Sequence, residues 1–305
     1  MNEILSTPLN GNYRTDIKLG DDMYYIRRYE SLDEFYDVVS DDKACKEYTS
    51  HYDDDNRYKF TGTRNYDEAI KLARYGWDKG LQGLDYYETM ADKDYAFKKH
   101  DNIWDVELAT TGSYVDVGAY LQGVPECMCE FVSKRTNQFA DVVINISTNC
   151  RTETETMFNR GREILKLVDA LEKNHIKTRI ILMEVTSKDY SSANEGDRYV
   201  IKIIAKDYNE MLDQNRLAFA LAHSSMLRRL CFCQLELEKD IRDDYGAPYG
   251  GYGTPSNIKE MDERAWKPDL DNTYTFLFDD INHYDTEVEM VKQKIKEIVT
   301  GGSND

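Results

Sequence analysis

The sequence lacks the features that mark membrane and secreted proteins. Nowhere in its 305 residues is there the run of roughly 18–20 apolar residues that a membrane helix needs. Its start, MNEILSTPLNGNYR, has no basic region followed by a long apolar stretch, so a secretory signal peptide is not predicted. We therefore expect a cytoplasmic protein that does not enter a membrane.

The common catalytic motifs are also missing. The glycine-rich stretch Gly246–Gly253 has no G-x-x-x-x-G-K-[ST] pattern, which excludes a phosphate-binding loop of that kind. His223 precedes Ser224 and Ser225, but helix neighbours point in different directions, and there is no G-x-S-x-G turn. We therefore assign no catalytic residues.

The six cysteines do not form a zinc-binding pattern. Cys127 with Cys129, and Cys231 with Cys233, have C-x-C spacing, and no histidine is close to either pair. Alternating apolar side chains over residues 231–237 predict a strand, on which the second pair would be buried thiols. We assign no metal-binding residues and no cofactor, and leave weak Mg²⁺ binding open.

Basic residues are few compared with acidic ones. The 39 Lys and Arg residues against 57 Asp and Glu residues give a net charge of −18. Phosphate backbones are bound through Lys and Arg, so general nucleic-acid binding is not expected. The 23 tyrosines, each with an apolar ring and a polar tip, suit interfaces. We expect a protein partner or self-association.

Strands and helices alternate from Phe139 onward. This alternation predicts an α/β fold with a mostly parallel sheet and helices on both faces, as in Rossmann-like folds. Residues 1–138 are predicted to form a separate α+β N-terminal region, and residues 139–300 the α/β domain. Residues 241–268 break the alternation with a Gly-, Tyr- and Pro-rich insertion, and a loop of that length is either functional or disordered. The predicted elements are strands 142–147, 177–185, 198–206 and 273–278, and helices 154–173, 209–230 and 285–300.

A polar turn lies between the first strand and its helix. Sites in parallel sheets form beyond the carboxyl ends of strands, which favours this turn as a partner- or cation-binding site. The same residue types also cap helix starts, so a structural role explains them equally well. Glu184 and Asp189 would flank the turn as further acids. The candidate site residues are Asp141, Asn145, Ser147, Asn149, Thr152 and Asp207.

A second candidate contact region is the glycine-rich loop. Tyr245, Tyr249 and Tyr252 alternate there with glycines, a composition found in adaptable binding surfaces. An ordinary surface loop would have the same composition.

The strand, the polar turn and the following helix resemble a von Willebrand factor A (VWA) domain over about residues 139–300. That fold carries an Asp-x-Ser-x-Ser turn that binds a divalent cation, and its members usually act in adhesion or assembly. Asn145 stands at the first acidic position, Ser147 at the middle serine and Asn149 at the last serine. Hard cations prefer carboxylate oxygen, so the resemblance implies a degenerate metal site.

The chain as a whole resembles uncharacterised proteins of bacteriophages and mobile elements. The segments that carry this resemblance are FTGTRNYDEAIKLARYGWDKG, YVDVGAYLQGVPECM and LAHSSMLRRLCF, at residues 60–80, 114–128 and 221–232. It implies the cytoplasm of a host cell as the location. The expected function is a non-catalytic interaction or assembly protein. The alternatives are a metal-dependent hydrolase or phosphoesterase, and a virion structural component.

Overall fold

A computed structural model describes residues 4–9, 12–40, 55–81, 104–133, 138–173, 176–188, 196–247, 251–267 and 274–299. Eleven strands occur in these ranges: β1 Ile4–Leu9, β2 Asn12–Leu19, β3 Asp22–Tyr29, β4 Trp104–Ala109, β5 Tyr114–Val115, β6 Met128–Ser133, β7 Gln138–Asn145, β8 Ile176–Ser187, β9 Arg198–Lys206, β10 Thr254–Pro255 and β11 Tyr274–Phe278. The α-helices are α1 Leu32–Val39, α2 Asp55–Thr61, α3 Tyr66–Tyr75, α4 Val117–Leu121, α5 Thr154–Lys173, α6 Gln214–Ala222, α7 Phe232–Leu237, α8 Glu263–Trp266 and α9 Tyr284–Val299.

The main sheet has the order β1-β2-β3-β9-β8-β7-β11, with β10 added to β8. The α/β fold is confirmed, but the prediction of a mostly parallel sheet is wrong, because the sheet is mixed. Strand β9 runs antiparallel to β8, and β2 runs antiparallel to both of its neighbours, β1 and β3. Only ten residues, 188–197, separate β8 from β9. That length is too short for a parallel crossover, which needs about a dozen residues or more.

The N-terminal strands belong to the same sheet. Strand β3 pairs in parallel with β9, from Tyr24 beside Arg198 to Tyr29 beside Ile203. The main sheet therefore contains strands from both predicted regions, residues 1–138 and residues 139–300. Strands β4, β5 and β6 form a separate three-stranded sheet.

The two faces of the main sheet are covered differently. One face of the sheet is covered by helices, whose apolar side chains form one large buried cluster with the strands. These helices are α1, α3, α5, α6, α7 and α9. The opposite face has a smaller cluster that includes Ile258, Met261 and Ala265. These residues lie in the stretch predicted as a long loop insertion. Its described part therefore contributes to the core as a covering layer.

The centre of the sheet is apolar because it is covered on both sides. Val142, Val143 and Ile144 of β7 are at most 1% exposed. Such near-continuous apolar runs are typical of strands buried on both faces. Strand β7 ends at Asn145, where the first polar side chains of the turn occur.

The segment 231–237 is helical, so the predicted strand there is wrong. A π-helix at Met226–Cys231 continues directly into α7. Cys231 and Cys233 are nevertheless buried, as expected of structural thiols. Nearly all side chains here are buried, and burial on all sides hides the helical period that sequence patterns depend on.

Candidate functional site

The side chain of Asn145 lies at the centre of a buried hydrogen-bond network. Its Nδ2 donates to the carbonyl of Ser256 at 2.9 Å and to Oδ1 of Asp279 at 3.0 Å. Its Oδ1 accepts from the amide of Ser147 at 3.0 Å. Asn145 is 2% exposed and Asp279 is 4% exposed. The amide therefore links the ends of strands β7 and β11.

The carboxylate of Asp279 is held by further donors. Its Oδ1 accepts from the amide of Ile258 at 2.7 Å, and its Oδ2 accepts from the amide of Lys259 at 3.0 Å. Charge-assisted hydrogen bonds of this kind are stronger than neutral ones. Asp279 thus fixes the short helical segment after Ser256 to the end of the sheet.

Arg160 of helix α5 closes the same network from the helix side. Its guanidinium donates to the carbonyl of Asn145 and, at 2.9 Å, to the carbonyl of Phe278. Burial lowers the pKa of Arg160 to about 10, and the carboxylates of Glu287, Asp279 and Asp280 act in the opposite direction. Arg160 therefore ties α5 to the carboxyl ends of two neighbouring strands.

The rest of the turn is also bonded internally. The hydroxyl of Ser147 accepts from the amide of Val185, and the hydroxyls of Thr148 and Thr152 bond to each other. Asn149 is exposed, and its Oδ1 accepts from the amide of Arg151 at 2.9 Å. The side-chain oxygens of Asn145, Ser147 and Asn149, the three residues that the sequence analysis compared with a cation-binding turn, thus all accept hydrogen bonds from backbone amides.

Two candidate residues lie away from the turn, toward the amino-terminal end of β7. Asp141 accepts from Nε of Arg179 and from the hydroxyl of Tyr208, each at 2.7 Å. Asp207 follows β9, whose antiparallel direction places its carboxyl end beside Ile180 rather than beside the turn. The structure therefore brings Asn145, Ser147, Asn149 and Thr152 together, and separates Asp141 and Asp207 from them.

The tyrosines of the glycine-rich loop face inward where they are described. Tyr245 is 1% exposed. The hydroxyl of Tyr252 donates to Oε1 of Glu236 at 2.6 Å, and its ring stacks on Phe232 at 3.8 Å. Tyr249 and the acid Asp189 lie outside the described residues.

The histidine–serine segment packs against residues 60–63. The hydroxyl of Ser224 donates to the carbonyl of Thr61 at 2.8 Å, and the amide of Ser225 donates to Nδ1 of His223 at 3.1 Å. Burial lowers the pKa of His223 to about 4, so its imidazole is neutral at pH 7. These serines anchor a loop and do not form a nucleophile–base pair.

Glu184 is the most strongly perturbed carboxyl near the turn. It is 4% exposed, and burial raises its pKa to about 8.

Among the described residues, no group of three or more His, Cys, Asp or Glu side chains could hold a metal ion. None of the helices in the described ranges has the length and apolar content to cross a membrane.

Sequence reasoning missed Arg160, Ser256 and Asp279. Asp279 directly follows the strand predicted at 273–278, so the strand-end rule that selected Asn145 would also have selected it. Arg160 lies three residues after Met157 and four before Ile164, next to the apolar stripe of the helix. Ser256 contributes a backbone carbonyl, for which the sequence carries no signal.

The fold and the site define an α/β protein with a mixed sheet, in which a polar turn is closed by internal hydrogen bonds. The chain belongs to the family described as "Domain of unknown function (DUF7192)", whose profile matches residues 12–299. No curated protein and no solved structure matches the chain.

Proposed function

We propose that this chain is a non-catalytic interaction or assembly protein with a VWA-like core and a degenerate cation site. The succession of β7, α5, β8, β9 and β11 supports the VWA-like part of this proposal, because it places a polar turn after the first buried strand of residues 139–300. In this proposal the chain acts by binding a protein partner or by self-association.

One observation carries the proposal. The amide Nδ2 of Asn145 lies 3.0 Å from the carboxylate of Asp279. A buried carboxylate needs either a cation or hydrogen-bond donors to offset its desolvation. Here the amide and the two backbone N–H groups offer that compensation, which supports a site that does not need a cation.

Thermal unfolding with and without a divalent cation tests the degenerate site. We expect the midpoint for the purified chain to be unchanged by Mg²⁺ or Mn²⁺, because a ligand that binds the native state stabilises it by RT ln(1 + [L]/Kd). A saturable rise in the midpoint, together with phosphoesterase activity that needs the cation, would instead favour the metal-dependent hydrolase.

The interaction role is tested separately by sedimentation and by co-purification from the natural source. The proposal predicts an oligomer or a stable complex with a second protein. A monodisperse monomer that recovers no partner would contradict it.

We further propose a bacteriophage or mobile element as the source, on the basis of the three resembling segments. Structural or packaging genes beside this gene would support that source, and an unrelated chromosomal neighbourhood would contradict it. Mass spectrometry of purified particles tests the virion-component alternative directly.

A further inference from the structure

A cavity of about 260 Å³ lies at the end of strand β9. Strand β9 ends at this cavity, and helices α1 and α6 begin there. Pockets for drug-sized ligands have volumes of about 300–1,000 Å³, so this one suits a smaller molecule. We call it the β9-end cavity.

The inner wall of the β9-end cavity is apolar. Leu32, Ile204 and Leu217 line it, and they are 5%, 8% and 2% exposed. Met211 also lines the cavity but is 93% exposed, so it belongs to the rim. Methionine is a flexible apolar side chain that adapts to different ligands. The cavity can therefore contact an aliphatic chain along its length.

The two basic side chains of the lining are already paired within the chain. Nζ of Lys206 donates to Oε1 of Glu172 and to the carbonyl of Thr178, each at 2.9 Å. Nη2 of Arg216 donates to Oδ1 of Asp33 at 2.6 Å. An anionic ligand would compete with these carboxylates for the same cations, so the cavity does not favour an anion.

Two carboxylates of the lining have no Lys or Arg partner in the described part of the chain, namely Glu210 and Asp213. Oε2 of Glu210 accepts from the amide of Asp207 at 2.8 Å. Oδ1 of Asp213 caps α6 by accepting from the amide of Arg216 at 3.1 Å. The second oxygen of each carboxylate is left for a ligand. Binding sites juxtapose complementary charges, so these two acids favour a cation.

We propose that the β9-end cavity binds a primary ammonium group on a short aliphatic chain, as found in a free amine or in a lysine side chain. The aliphatic chain would lie on Leu32, Ile204 and Leu217. The ammonium group has three N–H donors, with which it would bond to Glu210 and Asp213. This inference goes beyond the proposed interaction role and does not involve the Asn145 turn.

Calorimetric titration of the full chain with matched small molecules tests the proposal. The probe is pentylamine, which carries both the charge and the chain. Pentanol has the chain without the charge, pentanoate has the opposite charge, and ammonium chloride has the charge without the chain. We expect saturable binding of pentylamine alone, with a Kd of about 1 mM for so small a ligand.

Two matched double variants locate the site. Glu210→Gln with Asp213→Asn removes both charges from the cavity, and asparagine keeps the cap of α6 because it caps helices as aspartate does. Asp116→Asn with Glu126→Gln is the control. It replaces the N-cap aspartate of α4 and an exposed acid, neither of which lines the cavity. The thermal midpoint of each variant shows whether it is folded.

We expect the cavity variant to bind pentylamine about tenfold more weakly or less, because each carboxylate–ammonium pair near the surface contributes up to about fivefold. The control should bind within about twofold of the wild type. Competition by a lysine peptide with blocked ends would extend the site to lysine side chains, and its failure would restrict the site to free amines. Both results support the proposed chemistry.

Three results would overturn the proposal. They are the absence of pentylamine binding to the wild type, equal binding by the two double variants, and binding of pentanol as strong as that of pentylamine. None of them bears on oligomers, co-purified partners or divalent cations. The proposed function can therefore survive the failure of this inference.

Discussion

The replacement Asn145→Asp tests the central interpretation of the turn. It exchanges the amide donor for a second carboxylate 3.0 Å from Asp279, in a site where both residues are at most 4% exposed. Two ionised carboxylates at that distance repel by about 5 kcal/mol at an effective dielectric constant of about 20. The pair can avoid this repulsion by sharing one proton. The folded state must then keep one carboxyl protonated, which costs free energy at neutral pH.

That protonation sets the magnitude of the effect. Holding a carboxyl of ordinary pKa about 3.9 protonated costs about 4 kcal/mol at pH 7 and about 1.5 kcal/mol at pH 5. The lost hydrogen bond to the carbonyl of Ser256 adds about 1 kcal/mol. We therefore expect Asn145→Asp to lower the free energy of unfolding by about 5 kcal/mol at pH 7 and by about 2.5 kcal/mol at pH 5.

Urea unfolding followed by circular dichroism measures this loss at both pH values. Asn149→Asp in the exposed part of the turn is the matched control, and should change stability by less than about 0.5 kcal/mol. The double variant Asn145→Asp with Asp279→Asn restores one donor and one acceptor, and should be more stable than Asn145→Asp alone. A loss at pH 7 no larger than that of the control, or a loss independent of pH, would refute the reasoning.

Three further predictions concern buried groups outside this network. Glu184→Gln should gain stability relative to the wild type as pH rises from about 4.5 to about 8, because burial raises the pKa of Glu184 to about 8 and keeping this carboxyl protonated in the folded state costs more at each higher pH; urea unfolding at pH 5 and 8 measures the difference. His223→Gln should reduce the loss of stability between pH 6.5 and about 4, because the lowered pKa of His223 makes burial of its charged form costly; acid titration followed by circular dichroism checks this, and an unchanged titration curve would contradict it. Gly161→Ala should destabilise the protein by about 1–3 kcal/mol, because a Cβ there would lie 2.5 Å from Cβ of Ala222 and from the carbonyl of Leu221; thermal unfolding measures this, with an unchanged midpoint as the contrary result.

The sequence predicted local features better than strand direction. Strand β7, helix α5 and their polar turn followed from an apolar run and a helical period, and the structure contains all three. The reversal of β9 left no comparable signal, because an apolar strand reads the same in either direction. The short connection between β8 and β9 was the available indication that β9 is antiparallel to β8. A prediction that used it would have placed Asp207 at the opposite end of β8 from the polar turn.

The insertion shows a second kind of limit. Residues 241–268 are rich in Gly, Tyr and Pro, which indicates turns, and several short turns do occur there. The few apolar residues among them, including Ile258 and Met261, nevertheless cover one face of the sheet. Whether a turn-rich segment lies on the core depends on which sheet face lacks a helix, and that is a property of the whole fold.

The polar turn could not be interpreted from its own residues, because Ser, Thr and Asn satisfy backbone groups and bind cations with the same atoms. The information that the turn lacks is the partner of Asn145, Asp279, which directly follows strand β11 and lies 134 residues further along the chain. An Asn side chain can both accept from the amide of Ser147 and donate to the carboxylate of Asp279, whereas an ionised Asp can only accept. The side chain of Asn145 therefore joins the ends of β7 and β11 by donating to one partner and accepting from another.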